Sequence, residues 1–531
     1  MERTVSWWDC GEFIATSWTL GVGHPPGAPT YQLVTHLAAL LSFGHPMLVA
    51  PLCNAVSALC AGVTVGLLYG TIRLLGGGTA GALVGSLCYL FCDTAWFSAV
   101  ESEVYAMAML CCSLELYLAL RCRLTGNLRL LLVVALVAGL GVGVHLMTLL
   151  VLPAVALVVL NMWRRRRQPA GRLLRLLLPA VFFFALGLST YAIVPIRAAA
   201  NPAINEYGAG FKSYIGRDQY DKAPLYPRMW RQRDADNWGE WNAGRSGLVG
   251  NAVYFVTYQL GYMYGRFWTN NFVARINDRW NATVFFVLPA LLGLWGVWSH
   301  FRRRRWAAWT VMLLFLFGGP LLNIYLNHPC YEPRLRDYAY VLSFYAFAVW
   351  IGMGAHEASR LKAKWIGVVL LLAPVSMAVG NWSDHDRHRS HAAHDIALAH
   401  LESCDPNAIL ITLGDNDTFP LWYLQQVEHR RTDVSVYNMG LTGWHRLHDI
   451  VESNRLQRPI YLTHYCYRQH ANVFGAYMRC EGFCWRVLLP SEKNNTAPLL
   501  HDAARLHFAD GEYVDPIGRQ FLDIWHENTG Q

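Results

Sequence analysis

Charge is scarce in this chain of 531 residues: Asp, Glu, Lys and Arg make up 15% of it, while hydrophobic residues reach 54% and the mean hydropathy is +0.22. Soluble proteins carry about 25% charged residues. So little charge with so much apolar content excludes intrinsic disorder and an ordinary soluble enzyme. Also missing is any continuous basic face in polar surroundings, which binding to a phosphate backbone requires. The net charge of +8 therefore does not imply a nucleic-acid partner. No inverted repeat of the kind transporters carry is apparent. Of the 13 cysteines, Cys53, Cys60, Cys88, Cys92, Cys111, Cys112 and Cys122 fall in or beside apolar runs, where thiols pack as small hydrophobes. Cys10, Cys330, Cys404, Cys466, Cys480 and Cys484 lie in polar segments, and their pairing cannot be read from spacing. Cys480 and Cys484 are spaced like a zinc half-site but lack a second half.

What is present is a succession of apolar runs of about 20 residues, the length that crosses a bilayer. The runs predict ten spans: 48–72, 79–98, 103–120, 128–144, 146–162, 173–195, 281–299, 307–326, 338–356 and 365–381. Residues 28–43 form a further apolar stretch that reads, from His36 and its proline-flanked start, as a helix at the interface. The basic residues cluster at the ends of spans: Arg121, Arg123 and Arg129; Arg164 to Arg167 with Arg172 and Arg175; Arg302 to Arg305; Arg360, Lys362 and Lys364. If the sides alternate, every cluster falls on one face. The positive-inside rule makes that face cytoplasmic. The N-terminal segment, the loop 196–280 and residues 382–531 then face outward. The expected organisation is a transmembrane domain over 1–381 followed by an extramembrane α/β region over 382–531.

In that last region, 408–413 reads as a buried strand, 418–429 as a helix with Asp417 as its N-cap, and 433–437 as a second strand, together a βαβ unit. Asp415-Asn416-Asp417 invites a metal, but a helix cap plus a turn explains it with less. The run Asp384, His385, Asp386, His388, His391, His394, Asp395 also invites a metal, but reads more simply as a solvated helix start.

Function is sought where polar groups gather at one membrane face. Four segments qualify, all on the expected outer side. Trp7-Trp8-Asp9-Cys10-Gly11-Glu12-Phe13 leads to His24-Pro25-Pro26-Gly27, and helical spacing puts Asp9 and Glu12 on one face. Glu101-Ser102-Glu103-Val104-Tyr105 lies at a mouth between spans, and His145 lies in a glycine-rich hinge. Tyr331-Glu332-Pro333-Arg334-Leu335-Arg336-Asp337-Tyr338 leads into a span, and Arg197 joins these from the end of another. A carboxylate at this depth can take a proton from an alcohol, and fixed arginines can hold a leaving phosphate. Glycosyl transfer from a lipid-linked phosphosugar requires both.

Taken in order with Ser98-Ala99-Val100, Gly143-Val144-His145-Leu146, Asn407-Ala408-Ile409-Leu410 and Gly414-Asp415-Asn416-Asp417-Thr418-Phe419-Pro420-Leu421-Trp422, these motifs resemble a known family over most of 5–440. It is the bacterial, especially Bacteroidota, membrane glycosyltransferase family related to the animal protein O-mannosyltransferase that acts on plexin-type IPT domains. The resemblance implies a polytopic α-helical fold of the GT-C superfamily. It also implies transfer of a sugar, mannose, from a polyprenyl-phosphate-linked donor to Ser or Thr of an acceptor protein, with inversion, in a bacterial inner membrane with the C-terminal region in the periplasm. On the matching positions it implies Asp9 as the first-loop acid with Glu12 as partner or alternate. Arg334, Arg336 and Arg197 fall on the donor phosphate side, with His24, Glu101, Glu103, His145, Glu332 and Asp337 in support. No resident metal is implied by these residues, although a divalent cation is used by some enzymes of the superfamily and two carboxylates are an incomplete site for one.

Two departures stand out. Family members carry a span before the Trp-Trp-Asp segment, so a start upstream of Met1 is expected, and residues 441–531 match less clearly. Two other classes compete. A transporter or lipid flippase would also carry intramembrane charges, but these polar motifs gather at one face rather than the midplane. A non-catalytic scaffold would bind partners without turnover.

Overall fold

In the computed structural model, the described residues are 1–167, 170–218, 220, 222–273, 287–330, 336–361, 364–470, 477–497, 499 and 516–529. Among them, seven helices are long and apolar enough to cross a membrane: Pro46–Leu75, Val104–Thr125, Leu146–Arg166, Arg175–Ala199, Arg305–Leu326, Asp337–Ser359 and Ile366–His385. Each coincides with an expected span. The remaining three expectations come out differently. Run 79–98 is two helices, Thr79–Leu90 and Asp93–Val100, bent by 63° at the break. Run 128–144 is the short helix Arg129–Val142, and 281–299 is described only from Val287, within the helix Val287–Arg303.

Helix Asp337–Ser359 is the hub of the bundle, with 89% of its most apolar window buried inside the protein. Small residues make this possible, because lipid gives helices no hydrophobic reason to pair and close backbone approach must supply the attraction. A Cβ added at Gly296 would lie 1.8 Å from Trp350 O, one at Gly354 1.9 Å from Leu292 O, and one at Gly81 2.2 Å from Gly352 O.

Two short helices precede the first span. We call them α1, Cys10–Thr19, and α2, Pro29–Leu40. The second matches the expected interfacial stretch, with Leu37 and Leu40 exposed and His36 Nδ1 hydrogen-bonded to Ser17 O (2.7 Å).

The C-terminal residues form a five-stranded sheet of order β2-β1-β3-β5-β4, from β1 Ile409–Thr412, β2 Ser435–Asn438, β3 Ile460–Thr463, β4 Met478–Glu481 and β5 Cys484–Val487. Strand β1 pairs in parallel with β2 and β3, with Ile411 opposite Tyr437 and Leu462. β1 and β3 are buried throughout. That explains their uninterrupted apolar sequences, because parallel strands are covered on both faces. Strand β5 runs antiparallel to β3 and forms a hairpin with β4. The expected βαβ unit is present, with one correction. Its helix, α3, is Asp415–Gln426, so Asp417 is not the N-cap. Asp417 lies inside the first turn, where its Oδ2 accepts from Leu413 N (2.8 Å) and from the Thr463 hydroxyl.

Candidate functional site

The site is built where α1 meets α3. The two helices pack so closely that a Cβ at Gly11 would lie 2.5 Å from Phe419 O. The first-loop motif and the motif beginning at Gly414 are therefore one unit in space, some 400 residues apart in sequence.

Asp9 is held from both sides of this junction. Trp7, only 3% exposed, stacks on Phe521 of the C-terminal helix Pro516–Thr529 (centroids 5.3 Å apart, 5° between planes). Trp8 follows at φ 57°, a left-handed conformation rare for a bulky side chain. Its amide donates to Asn416 Oδ1 at 2.6 Å. Asp9 comes next, at the N-cap position of α1, where its carbonyl accepts from Phe13 N (2.9 Å) and its side chain makes no capping bond.

Glu12 is fully buried. Its Oε1 accepts from His24 N (2.8 Å), and its Oε2 pairs with His24 Nδ1 (2.5 Å). Burial pulls the His24 imidazole down. The charge and hydrogen bond of Glu12, aided by Asp9 and Asp415, outweigh that and push it up to about 10. His24 is thus an imidazolium at neutral pH, lying nearly parallel to Phe419 with the rings 6.4 Å apart. Because its folded value lies above the ordinary ~6.5, the pair stabilises the fold fully below that pH, progressively less up to about 10, and not at all beyond. The thermal midpoint of the wild type is expected to fall between pH 7 and 10 more steeply than that of His24→Gln. Parallel slopes would show that the pair is not the titrating element.

The central loop closes another side. Val22 N donates to Ile204 O and Glu206 N to Val22 O, both at 2.8 Å, which lays 204–206 along the first loop. Glu206 is pushed up to about 7, first by burial and then by the charge of Glu12, with His24 and Arg446 acting in the opposite sense. His145 lies within the field of Arg217, His24 and Asp9. Its Nδ1 accepts from Met147 N (3.1 Å), which assigns the remaining proton of a neutral ring to Nε2. The ring lies against Tyr105 (5.6 Å), which stacks on Tyr338 (4.3 Å).

Of the residues singled out in the sequence, Asp9, Glu12, His24 and His145 share one electrostatic neighbourhood. The other described ones are engaged elsewhere. Arg197 donates through Nε to Leu20 O (2.7 Å) and through Nη2 to Thr19 O (3.2 Å), closing the C-terminal end of α1, where a cation is favoured. Glu101, buried, accepts from Ser6 Oγ (2.7 Å) and lies 3.8 Å from Arg387, which also approaches Glu2. Glu103, also buried, passes its amide to Glu101 O. Asp337 accepts from Thr94 Oγ1 (2.7 Å) beside the 63° bend, where Asn271 also binds Thr94. Arg336 lies near His328 and Tyr340. Glu332 and Arg334 fall outside the described residues.

The histidine run is tied to carboxylates. His391 and His394 both bind Asp395, and His394 Nε2 reaches Glu428 (3.2 Å). Among the described residues no group of three or more His, Cys, Asp or Glu is placed to hold a metal ion.

Sequence reasoning missed Glu206, Arg217 and Arg446, which lie in loops or helices with no motif to mark them. It noted Asp415 and Asn416 as a turn and cap or a metal site, not as holders of the first loop. Their roles depend on a junction between segments that no spacing rule connects.

Fold and site define a polytopic membrane protein with a buried carboxylate paired to a partly buried histidine, closed by an extramembrane α/β region. Residues 9–169 match the family described as the protein O-mannosyl-transferase TMEM260 N-terminal domain, and 393–446 match TMEM260-associated domain 2. The mouse protein O-mannosyl-transferase TMEM260 is 23% identical over 465 residues, covering 83% of this chain and 60% of the relative. The Dictyostelium discoideum protein of the same name is 19% identical over 488 residues, covering 83% and 55%. This chain therefore spans less than two thirds of the length of either relative, and it is related to them through both its first-loop and its βαβ motifs. Among solved structures, the Archaeoglobus fulgidus oligosaccharyltransferase is similar at a TM-score of 0.48 and 9% identity, covering 89% of this chain and 66% of that one.

Proposed function

We propose that this chain is a membrane glycosyltransferase that moves a sugar, mannose, from a polyprenyl-phosphate-linked donor to a Ser or Thr hydroxyl of an acceptor protein on the extracytoplasmic side. The observation that carries the reading is the division of labour between the two first-loop carboxylates. Glu12 is buried and held by His24, whereas Asp9, at the start of α1, is partly exposed. The relation to protein O-mannosyl-transferases supports the reaction class.

In this mechanism Asp9 takes the acceptor hydroxyl proton as the oxygen attacks the anomeric carbon from the face opposite the phosphate, inverting it. The bond from that carbon to the phosphate oxygen breaks, and polyprenyl phosphate leaves with its electron pair. The Glu12–His24 pair holds the first loop in place, with the imidazolium in the field of Asp9 and Asp415. Arg334 and Arg336 hold the donor phosphate, and Arg197 keeps the end of α1 closed.

The test is transfer by the purified full chain in lipid nanodiscs, supplied with polyprenyl-phosphate mannose and Ser/Thr-containing acceptor domains. Release of polyprenyl phosphate that depends on acceptor is the expected result. Donor binding without turnover would refute the catalytic reading and favour a transporter or scaffold.

A further inference from the structure

We propose that Cys404 and Cys484 form a disulfide that ties the end of the helix Ala392–Glu402 to strand β5. The two thiols point at one spot, with Cys404 Sγ 3.3 Å and Cys484 Sγ 3.4 Å from the same carbonyl oxygen, His400 O. Both are free, buried thiols in the structure. The neighbouring residues hold the two backbones in step. Phe483 N donates to Ser403 Oγ (2.7 Å), and Gly482, at φ 57°, approaches so closely that a Cβ there would lie 2.4 Å from that same oxygen. Residues 403 and 404 thus face 482–484 across a fixed, buried contact, with Cys404 4% and Cys484 0% exposed.

The other cysteines of the α/β region are turned elsewhere. Cys480 Sγ is directed to Gly482 O (3.8 Å), and Cys466 lies in the helix His464–His470, near Asp417. Nothing in the proposed sugar transfer uses Cys404 or Cys484.

The compartment supplies the chemistry. The α/β region packs on the first-loop side of the bundle. By the charge distribution that side is opposite the arginine clusters and so extracytoplasmic, where disulfides form and persist. The step is thiol–disulfide exchange with a protein disulfide oxidoreductase. One cysteine thiolate attacks the oxidoreductase disulfide and forms a mixed disulfide. The second cysteine displaces it, leaving Cys404–Cys484 joined and the oxidoreductase with two thiols, so that two electrons and two protons pass to it. Because the pair ends in an apolar core, the exchange takes place as the region folds. The bond would close a long loop containing β1, α3, β2, β3 and β4, the arrangement in which a cross-link restricts the unfolded chain most.

The experiment is thiol mapping of the full chain, made in its membrane, trapped with N-ethylmaleimide during lysis and digested without reductant. The expected result is one peptide pair joined through Cys404 and Cys484 that separates on reduction and persists in Cys480→Ser and Cys466→Ser. In addition, reductant should lower the thermal midpoint of the wild type by several degrees while leaving that of Cys404→Ser unchanged. Full maleimide labelling of both residues in denaturant before reduction would overturn the proposal, as would a Cys480–Cys484 or intermolecular link. None of these outcomes depends on whether the chain transfers sugar.

Discussion

Asp9→Asn is expected to lower sugar transfer by about 10³-fold, within the range for loss of a general base, while donor binding and the thermal midpoint stay near wild type. The reason lies in how the two first-loop carboxylates are used. Asp9 is partly accessible and gives no capping bond to α1. Glu12 is buried with both oxygens on His24. Glu12→Gln therefore has a different signature: it leaves His24 without its counter-charge and removes a carboxylate that is itself fully buried, so stability falls. Activity should fall less than in Asp9→Asn, and stability should fall more. Measuring turnover, donor affinity and thermal midpoint in both variants separates the roles. Full activity in both would remove the first loop from the chemistry, and an unaltered Asp9→Asn with an inactive, stable Glu12→Gln would exchange the two assignments.

Gly11→Leu is expected to reduce transfer by about 10²-fold or more through displacement alone, since a small misplacement of catalytic groups costs on that order. Even a single Cβ there meets Phe419 O at 2.5 Å and Phe419 C at 2.6 Å, both backbone atoms that cannot rotate away. Overpacking of this kind typically costs 1–3 kcal/mol. Its consequence here is specific: it pushes α3 off α1, and with it Asn416, whose side chain holds Trp8 immediately before Asp9. Hydrogen exchange should rise across residues 7–13 and 414–422 together. Gly62→Leu, where nothing lies within 4 Å, is the matched control. Normal activity in Gly11→Leu with intact protection of both segments would show that the junction does not position the first-loop acid.

How far the fold can be read from composition depends on the element. The seven long spans are visible because twenty apolar residues in a row have only one economical environment, and period and length alone decide it. The broken span was not visible, because Asp93 and Thr94 look like an ordinary interruption until Asp337 and Asn271 are seen to bind Thr94. In the α/β region, the uninterrupted Ile409-Leu410-Ile411 marked a buried strand correctly. The start of α3 was misplaced by local capping logic, since Asp417 bonds Leu413 N from inside the first turn and Thr463 from β3, a strand the local pattern did not include.

The same division runs through the site. The sequence alone determined that the long apolar runs would be spans and that Asp9 and Glu12 would lie a helical turn apart, because hydrophobic length and the 3.6-residue period are local properties of the chain. Only the tertiary structure decided that Glu12 pairs with His24, that Arg197 closes a helix, that Glu206 lies in the field of Glu12, His24 and Arg446, and that Asn416 and Phe521 hold residues 7 and 8. Those outcomes come from burial and from contacts between segments hundreds of residues apart. A buried carboxylate must find a partner wherever the fold brings one, and no spacing in the sequence records which one it will be.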